Sequence, residues 1–533
     1  MKLRLALLPL LAIPFFAACS AAESDEASDE QDLADFYGEW ASEYVVTGSS
    51  TVTIEPNLAK ASADAKMKRA KVLVDLKNIQ IGWFLNSYLT DKEDEEANVD
   101  YGGFSAMTRF GSYANAKITA VDETTFRFDY QVNVGGSKRL IDMLPGKKVD
   151  GGKKIPLVMG KLTNEDLART ETNKEWYRGA PWSEFDPTKM SKDQLENIEL
   201  FVKPAEASSD AYLAYDRLFA DGEVSIGVHY GWDKETRTDI SLSREFYDSL
   251  VKDGYKSPVG SYDKYLRTSG PLTKTITSSK KPITVKIWIF HPGGQGVAGP
   301  DPDTDEGGKE LEADMRTSLG EREVVIFKGH SGPMYGFALA NWNRTAEGDL
   351  DDSKIPTLKM PSTYQIVFAN GCETYGLGES FFQIPSKADH KNLNVITTTS
   401  FANLINDSAN LALIDAITNN KNGKLVPSKV SEVTGVMDNK QGWGFSTMFG
   451  IHGVAANPKY DPLADRSKLC TACKTTDKGN DGDRCTLLPS KQRIWTYDCI
   501  DDTGCPDKYT CKPVKVGATV KSKQCVPKTQ RCE

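Results

Sequence analysis

The residues best suited to chemistry are a histidine and a cysteine in the middle of the chain, His330 and Cys372. A cysteine thiolate attacks a carbonyl carbon as a nucleophile, and a neighbouring histidine handles the proton. Such an attack also needs backbone N–H groups that stabilise the oxyanion. Glycines flank both residues, at Gly329, Gly332 and Gly371, and let the backbone turn sharply and approach a substrate closely. The pair therefore predicts a thiol nucleophile with a histidine partner.

Short apolar segments alternate with helical patterns around these two residues. The predicted strands are 223–229, 283–290, 323–327, 364–369 and 394–398, and the predicted helices are 243–253, 309–319 (closed by Gly320) and about 403–417. This alternation is typical of a mostly parallel sheet that is covered on both faces. Catalytic residues of such sheets gather beyond the carboxyl ends of the strands. Because His330 and Cys372 follow two consecutive strands, we expect their loops to lie side by side.

The two blocks resemble a known family of enzymes. A strand followed by Gly-His-Ser-Gly, and a later strand followed by Asn-Gly-Cys-Glu-Thr, resemble the caspase-like cysteine peptidases over residues 210–455. The resemblance implies an α/β fold with His330 as the proton-handling histidine and Cys372 as the nucleophile. It also implies that the backbone N–H groups of Ser331 and Cys372 hold the oxyanion. The sequence departs from the family pattern twice: Ser331 replaces a common glycine, and Asn-Gly-Cys replaces the caspase Gln-Ala-Cys.

The loop after the strand 223–229 carries further polar side chains. In caspase-like folds this loop helps to form the pocket for the side chain that precedes the scissile bond. The resemblance therefore implies that His229, Asp233 and Arg237 line a substrate pocket.

Three carboxylates alternate at Asp301, Asp303 and Asp305, as they do at the start of a calcium-binding loop. The glycine of such a loop comes one residue late here, and the closing glutamate is absent. A solvated acidic turn is the alternative. Thiol chemistry requires no cofactor, so calcium is the one ion that the sequence suggests.

The amino end has the pattern of a bacterial secretion signal. Two basic residues precede an apolar run of about a dozen residues, which is shorter than the roughly 20 that span a membrane. The run ends in Phe-Ala-Ala-Cys, which resembles a lipobox and predicts cleavage before Cys19 and its acylation, with palmitate as one chain. Ser20 favours the outer membrane of the bacterial cell envelope, where contact with the membrane would be through the lipid anchor only. The alternative is cleavage near Ala21 and a soluble secreted protein.

Eight of the ten cysteines lie in the last 64 residues. An even, dense set in an exported chain predicts disulfides rather than a zinc site, and the spacing leaves the connectivity open. These cysteines are Cys470, Cys473, Cys485, Cys499, Cys505, Cys511, Cys525 and Cys532. With Cys19 assigned to the lipid, Cys372 is the cysteine that remains, which favours a chemical role for it.

The composition predicts a multidomain globular protein. The chain has 533 residues, and its net charge of −9 argues against nucleic-acid binding. The predicted parts are a signal peptide (1–18), an acidic disordered tether (19–32), a β-rich domain (33–205), a caspase-like α/β domain (208–458) and a small disulfide-rich domain (468–533). In the β-rich domain, segments 126–132 and 71–76 predict strands.

Two functions are consistent with these features. The leading hypothesis is an envelope-anchored cysteine peptidase, or peptidase-like protein, that cleaves peptide bonds in envelope or extracellular proteins. The rival is a non-catalytic surface lipoprotein whose β-rich and disulfide-rich ends bind a protein or polysaccharide partner. In the rival, Cys372 is a small apolar filler and His330 is structural. Because one fold can serve both, the choice depends on the site.

Overall fold

A computed structural model gives the fold of the chain. It describes residues 35–95, 104–105, 117–138, 140–144, 146–163, 165–166, 182, 185–233, 236–277, 281–294, 296–331, 336–351, 354–399, 402, 406–421, 424–440, 448–477, 482–516 and 519–532. All of these residues belong to one compact unit, Ala34–Glu533. The predicted signal peptide and tether lie outside the described residues, so the lipidation of Cys19 stays a prediction. Among the helices of the described ranges, none combines the length and the hydropathy that a bilayer crossing requires.

Strands dominate the first part and the carboxyl end of the described chain, and strands alternate with helices between them. The strands are β1 (Phe36–Gly38), β2 (Ala41–Thr53), β3 (Phe104–Ser105), β4 (Lys117–Ala120), β5 (Thr125–Ser137), β6 (Lys147–Val149), β7 (Gly152–Gly160), β8 (Leu195–Pro204), β9 (Glu223–Tyr230), β10 (Leu272–Thr277), β11 (Pro282–Phe290), β12 (Val324–Lys328), β13 (Phe337–Ala338), β14 (Asp349–Leu350), β15 (Gln365–Asn370), β16 (Leu393–Thr398), β17 (Asn420–Lys421), β18 (Lys424–Leu425), β19 (Phe449–His452), β20 (Arg484–Leu487), β21 (Arg493–Thr496), β22 (Tyr509–Val516) and β23 (Thr519–Pro527). The helices are α1 (Ala63–Glu95), α2 (Leu140–Met143), α3 (Tyr215–Leu218), α4 (Thr238–Lys252), α5 (Asp305–Glu321), α6 (Tyr375–Phe382), α7 (Ser408–Ile417) and α8 (Val430–Lys440).

The larger sheet has eight strands in the order β1–β19–β16–β15–β12–β9–β11–β10. Its five inner strands from β16 to β11 are parallel, and the other three pair antiparallel. Alternate residues of β12 enter two separate cores, Val324 and Ile326 in one and Val325 and Phe327 in the other. Helices α4, α7 and α8 contribute to the first core, and α5 and α6 contribute to the second. The prediction of a mostly parallel sheet with both faces covered is confirmed.

The predicted strands of this sheet agree with the observed ones to within one residue at each end. The helices differ more: α4 begins at Thr238 rather than 243, and α7 begins at Ser408 rather than about 403. The α5 helix begins four residues early, because the Thr304 hydroxyl accepts a hydrogen bond from the Gly307 N–H at 3.1 Å and caps its first turn. Gly320 does not end this helix as predicted, since it lacks the positive φ that a glycine cap adopts.

The smaller sheet is antiparallel, with the order β3–β5–β2–β8–β7–β6 and with β4 also paired to β5. The predicted strand 126–132 lies within β5. The predicted strand 71–76 is wrong, because these residues belong to the helix α1. Ala70, Leu73, Val74 and Lys77 are buried, a spacing of three and four residues that places them on one helical face. The six-residue window was too short to separate this period from the alternation of a strand.

The short strand β1 joins the two sheets. It lies in the span predicted for the β-rich domain, yet it pairs with β19 at the edge of the larger sheet, and the chain then continues into β2 of the smaller one. A side chain at Gly450 of β19 would overlap with the ring of Phe36, so the pairing depends on a glycine there. The larger sheet therefore includes a strand from the amino-terminal region.

The carboxyl-terminal cysteines form four disulfides, as predicted. The pairs are Cys470–Cys532, Cys473–Cys485, Cys499–Cys511 and Cys505–Cys525. They hold the hairpins β20–β21 and β22–β23, each of which is a two-stranded sheet. The Tyr212 hydroxyl donates to Asp498 at 2.7 Å and attaches this region to the α/β part. Two-stranded hairpins are marginal alone, so the disulfides supply much of the stability of this region.

Candidate active site

The candidate site lies at the carboxyl ends of three neighbouring parallel strands, β9, β12 and β15. Each strand ends on a polar residue, followed by a glycine and then by a residue of the site: Tyr230-Gly231-Trp232, Lys328-Gly329-His330 and Asn370-Gly371-Cys372. In the sheet, Lys328 is in register with both Tyr230 and Asn370. His330 and Cys372 therefore follow their strands at the same level. The prediction that their loops lie side by side is confirmed.

Glycines allow the three loops to approach one another closely. A Cβ atom at Gly329 would lie 2.9 Å from the Cα atom of Gly231, and one at Gly371 would overlap with the side chain of Ser331. The Gly329 N–H also donates to the backbone carbonyl of Asn370 at 3.3 Å. The histidine loop and the cysteine loop are thus in direct contact. Gly332, which belongs to the predicted block, lies outside the described residues.

Ser331 and Gly371 pack directly against each other. Because an alanine at 371 would overlap with Ser331, the glycine before Cys372 accommodates the serine after His330. We expect Gly371→Ala to lower the free energy of unfolding by about 1–3 kcal/mol, as overpacking does. In a Ser331→Gly background the same change should cost clearly less, because the overlapping Ser331 Cβ is gone and the nearest remaining atom is the Gly329 carbonyl oxygen at 3.0 Å. Equal losses in both backgrounds, measured by urea unfolding, would show that the two positions are independent.

His330 is oriented by an aspartate. Its Nε2 atom lies 3.4 Å from Oδ1 of Asp233, and its side chain is 37% exposed. The Asp233 carboxylate accepts hydrogen bonds from the backbone N–H of Thr238 at 2.9 Å and from the Thr236 hydroxyl at 2.8 Å. Burial raises the pKa of Asp233, but the hydrogen bonds from Thr238, Thr236 and His330 outweigh it and hold this pKa well below its usual range. The carboxylate therefore stays ionised beside the imidazole.

An aromatic pair lies on another side of His330. The ring of Trp342 meets the imidazole edge-on at 5.5 Å between centroids, and Trp232 meets Trp342 in the same way at 5.5 Å. Trp232 is buried, whereas Trp342 is 36% exposed. The imidazole is thus held between a carboxylate and an indole, and the exposed part of Trp342 borders the site.

Cys372 is the free cysteine of the described chain, and it is partly exposed. Burial raises the pKa of its thiol to about 11, Glu373 adds to this, and a backbone hydrogen bond with Ala402 and the Lys328 cation oppose it. The resting thiol is therefore protonated near neutral pH, so the reaction needs a base. Glu373 adopts a φ of 50°, a left-handed conformation that is uncommon for residues with a side chain.

Hydrogen bonds fix the cysteine loop to the neighbouring strand β16 and to its own strand β15. The Thr398 hydroxyl donates to the backbone carbonyl of Gly371 at 2.6 Å, and the Thr374 hydroxyl donates to that of Ala369 at 2.8 Å. The helix α6 starts directly afterwards, and its first residue, Tyr375, donates a hydrogen bond to Glu43 of β2. The smaller sheet thus contacts the helix that follows the nucleophile.

The three residues predicted to line a substrate pocket occupy different places. His229 is buried, stacks on Phe290 and shares a hydrogen bond of 2.8 Å with Ser318, so it offers no surface to a substrate. Burial lowers its pKa to about 3. Arg237 forms an ion pair with Asp239 at 2.9 Å at the start of α4. Of the three, only Asp233 contacts the candidate dyad, and it contacts the histidine.

The carboxylates predicted to bind calcium serve the local fold. The Asp301 carboxylate accepts a hydrogen bond from the backbone N–H of Asp303 at 3.0 Å. The Asp303 carboxylate accepts one from the Asn341 side-chain amide at 2.6 Å, and the Asp305 carboxylate accepts one from the Thr345 hydroxyl at 2.5 Å. In the described ranges, their oxygen atoms do not gather into a common ligand set. The arrangement fits the acidic turn that was the alternative, and the calcium site stays a prediction.

A separate cavity of about 830 Å³ lies between strands β2 and β8. The pairing of these strands stops at Gly48 and Leu200, and beyond that point they separate. Across the gap, Glu196 accepts hydrogen bonds from the Ser50 hydroxyl at 2.8 Å and from the Lys77 ammonium at 2.5 Å. This polar cavity belongs to the smaller sheet and is a second candidate binding site.

Sequence reasoning missed two parts of the candidate active site, Lys328 and the orienting role of Asp233. The sequence does indicate Lys328, because it is a charged residue at the end of an otherwise apolar strand. It does not indicate the role of Asp233, because the contact of Asp233 with His330 depends on how the loop turns. Comparisons with family models, with curated proteins and with solved structures found nothing that matches this chain.

Proposed function

We propose that the chain is a cysteine peptidase in which Cys372 is the nucleophile and His330 is its proton carrier. The observation that carries this proposal is the direct contact between the histidine and cysteine loops at the carboxyl edge of the parallel sheet. The ionised carboxylate of Asp233 adds a third member, because it orients the imidazole.

In the proposed reaction, His330 accepts the thiol proton of Cys372 as the sulfur attacks the carbonyl carbon of a peptide bond. The negative charge that develops on the carbonyl oxygen is stabilised by the backbone N–H groups of Ser331 and Cys372. The C–N bond then breaks, and His330 gives its proton to the leaving amine, which leaves a thioester on the enzyme. Water attacks the thioester with His330 as the base, and release of the carboxylic acid restores the thiol.

Two arguments support the choice of substrate, one about the bond that is cleaved and one about the location of the protein. The similarity of the two loop blocks to caspase-like peptidases supports a peptide bond as the bond that is cleaved. The predicted secretion signal and the four disulfides of the carboxyl end support an oxidising location, in the envelope or outside the cell. We therefore propose proteins of the envelope or the cell exterior as substrates.

Labelling with a peptidyl acyloxymethyl-ketone tests the proposal, because this probe reacts through an activated thiol. We expect the purified full chain to be labelled at Cys372, and His330→Ala to slow labelling roughly 100-fold, the lower range of a general base. His390→Ala is the matched control. His390 lies in a turn before β16, at the opposite edge of the sheet, and its change should leave labelling intact. Equal labelling of the His330→Ala variant and the wild type would contradict the proposal.

The second candidate is the binding function, and the cavity between β2 and β8 favours it. A polar cavity with a buried lysine and a glutamate suits a hydrogen-bonding partner such as a polysaccharide or a peptide. In this case Cys372 is a filler, and the ketone probe leaves it unlabelled. The labelling experiment thus separates the two functions.

A further inference from the structure

A lysine is fully buried directly beneath the candidate dyad. Lys328 ends β12, two residues before His330, and it is 1% exposed. Burying an ammonium group is costly unless it is paired, and an apolar side chain of similar length would avoid that cost. A charge is nevertheless present at this position, between Tyr230 and Asn370 of the neighbouring strands.

A polar network surrounds this lysine. Asp407, the residue before α7, attracts Lys328 and accepts hydrogen bonds from the Tyr230 hydroxyl and from the Asn410 amide. The side-chain oxygen of Asn410 in turn accepts a hydrogen bond from the side-chain amide of Asn370 at 2.8 Å. The network thus links the last residues of three strands to the start of one helix, one layer below the loops that carry the dyad.

Several charged and titratable groups surround Lys328, and they belong to different loops and helices. The charges of Asp407 and Cys372 raise the pKa of Lys328 itself, and the charge of Glu245 of α4 raises the pKa of Asp407. The charge of Glu373 raises the pKa of Cys372 and so opposes the thiolate, whereas the charge of Lys328 lowers this pKa and favours the thiolate. Burial lowers the pKa of Lys328 to about 8, while Asp407 and Cys372 oppose this shift. The ammonium is therefore mostly charged at neutral pH.

We propose that Lys328 is a positioning residue that stabilises the Cys372 thiolate electrostatically from beneath the site, while Asp407 keeps the lysine protonated. This inference rests on the proposed function. A negative charge forms on sulfur when His330 takes the thiol proton, and a buried ammonium close by stabilises that charge strongly because little water screens it. No bond to Lys328 forms or breaks.

The test is the rate at which iodoacetamide alkylates Cys372 in the full chain, measured from pH 6 to 10. We expect Lys328→Met to lower the rate about tenfold at pH 7, since one nearby charge shifts a pKa by roughly one unit or more. The difference should shrink above the lysine pKa of about 8, where the wild-type side chain loses its charge. Lys328→Arg should restore most of the rate, and Lys354→Met, at a half-exposed lysine that pairs with Glu312, is the matched control.

A second variant keeps the inference testable if Lys328→Met fails to fold. Asp407→Asn removes the carboxylate that keeps Lys328 protonated, so the lysine should lose charge near pH 7 and alkylation of Cys372 at pH 7 should become slower, as in Lys328→Met. Unchanged pH profiles in both variants would overturn the inference even if the ketone probe labels Cys372. If the ketone probe fails to label Cys372 while the variants still shift the pH profile of alkylation, the proposed peptidase function is overturned instead. Alkylation tests the thiol alone, because it needs no substrate.

Discussion

Hydrolysis of a peptide substrate by the His330→Ala variant is expected to be about 10²–10⁴-fold slower than by the wild type, the range that a general base contributes. Burial keeps the thiol of Cys372 protonated, and the thiol therefore depends on the histidine to remove its proton. The measurement is kcat/KM on a mixture of fluorogenic peptides, with Cys372→Ser as the inactive reference. Equal rates in the wild type and both variants would contradict the assignment.

Asp233→Asn provides a graded comparison within the same experiment. In the wild type, the contact between the Asp233 carboxylate and His330 is long, at 3.4 Å, and His330 is partly exposed. We therefore expect a loss of about 10–100-fold, smaller than that of a fully buried carboxylate in a catalytic triad. Thermal unfolding of each variant serves as the control for the fold. A loss of activity without a change of unfolding temperature assigns the effect to the site.

The second large effect concerns stability. Replacing both cysteines of the Cys470–Cys532 pair by serine is expected to lower the stability of the carboxyl-terminal region by about 4 kcal/mol. This disulfide closes a separation of 62 residues, and the loss of chain entropy in the unfolded state grows with the length of the closed loop. Urea unfolding of the full chain under non-reducing conditions measures the change.

The Cys499–Cys511 pair is the matched comparison, because it closes a separation of only 12 residues and should contribute about 3 kcal/mol. Labelling of Cys372 by the ketone probe should survive both double substitutions, since the disulfides lie outside the sheet that carries the dyad. A greater loss from the shorter loop would show that packing, rather than chain entropy, determines the contribution of these bonds.

The order of the strands of the larger sheet and of the helices between them was predictable, because each element has its own local sequence pattern. Runs such as Val-Val-Ile-Phe are buried on both faces, so their composition alone indicates inner strands of a parallel sheet. The same local reasoning failed for residues 71–76. There the apolar residues also fit a strand, and only the burial of Ala70 and Lys77 at helical spacing reveals the helix.

The candidate site was predictable only in part. The pairing of the His330 and Cys372 loops follows from the rule for carboxyl ends of parallel strands, but the partners of these residues do not. His229 was predicted to be a pocket residue because its strand leads to the site, yet its side chain enters the core on the α5 side. In a sheet with two apolar faces, the alternation of residues does not reveal which face a polar side chain enters.

The strand β1 has a mechanical consequence. A pull on the backbone at Asp35 is resisted by two hydrogen bonds: the backbone carbonyl of Asp35 accepts one from the N–H of Gly453 at 3.0 Å, and its carboxylate accepts one from the N–H of Ala455 at 2.9 Å. From there the load passes through β1 and β19 to β16, where Thr398 holds the backbone of Gly371, next to the nucleophile. Tension applied at Asp35 is therefore borne by the same strands that hold the cysteine loop in place.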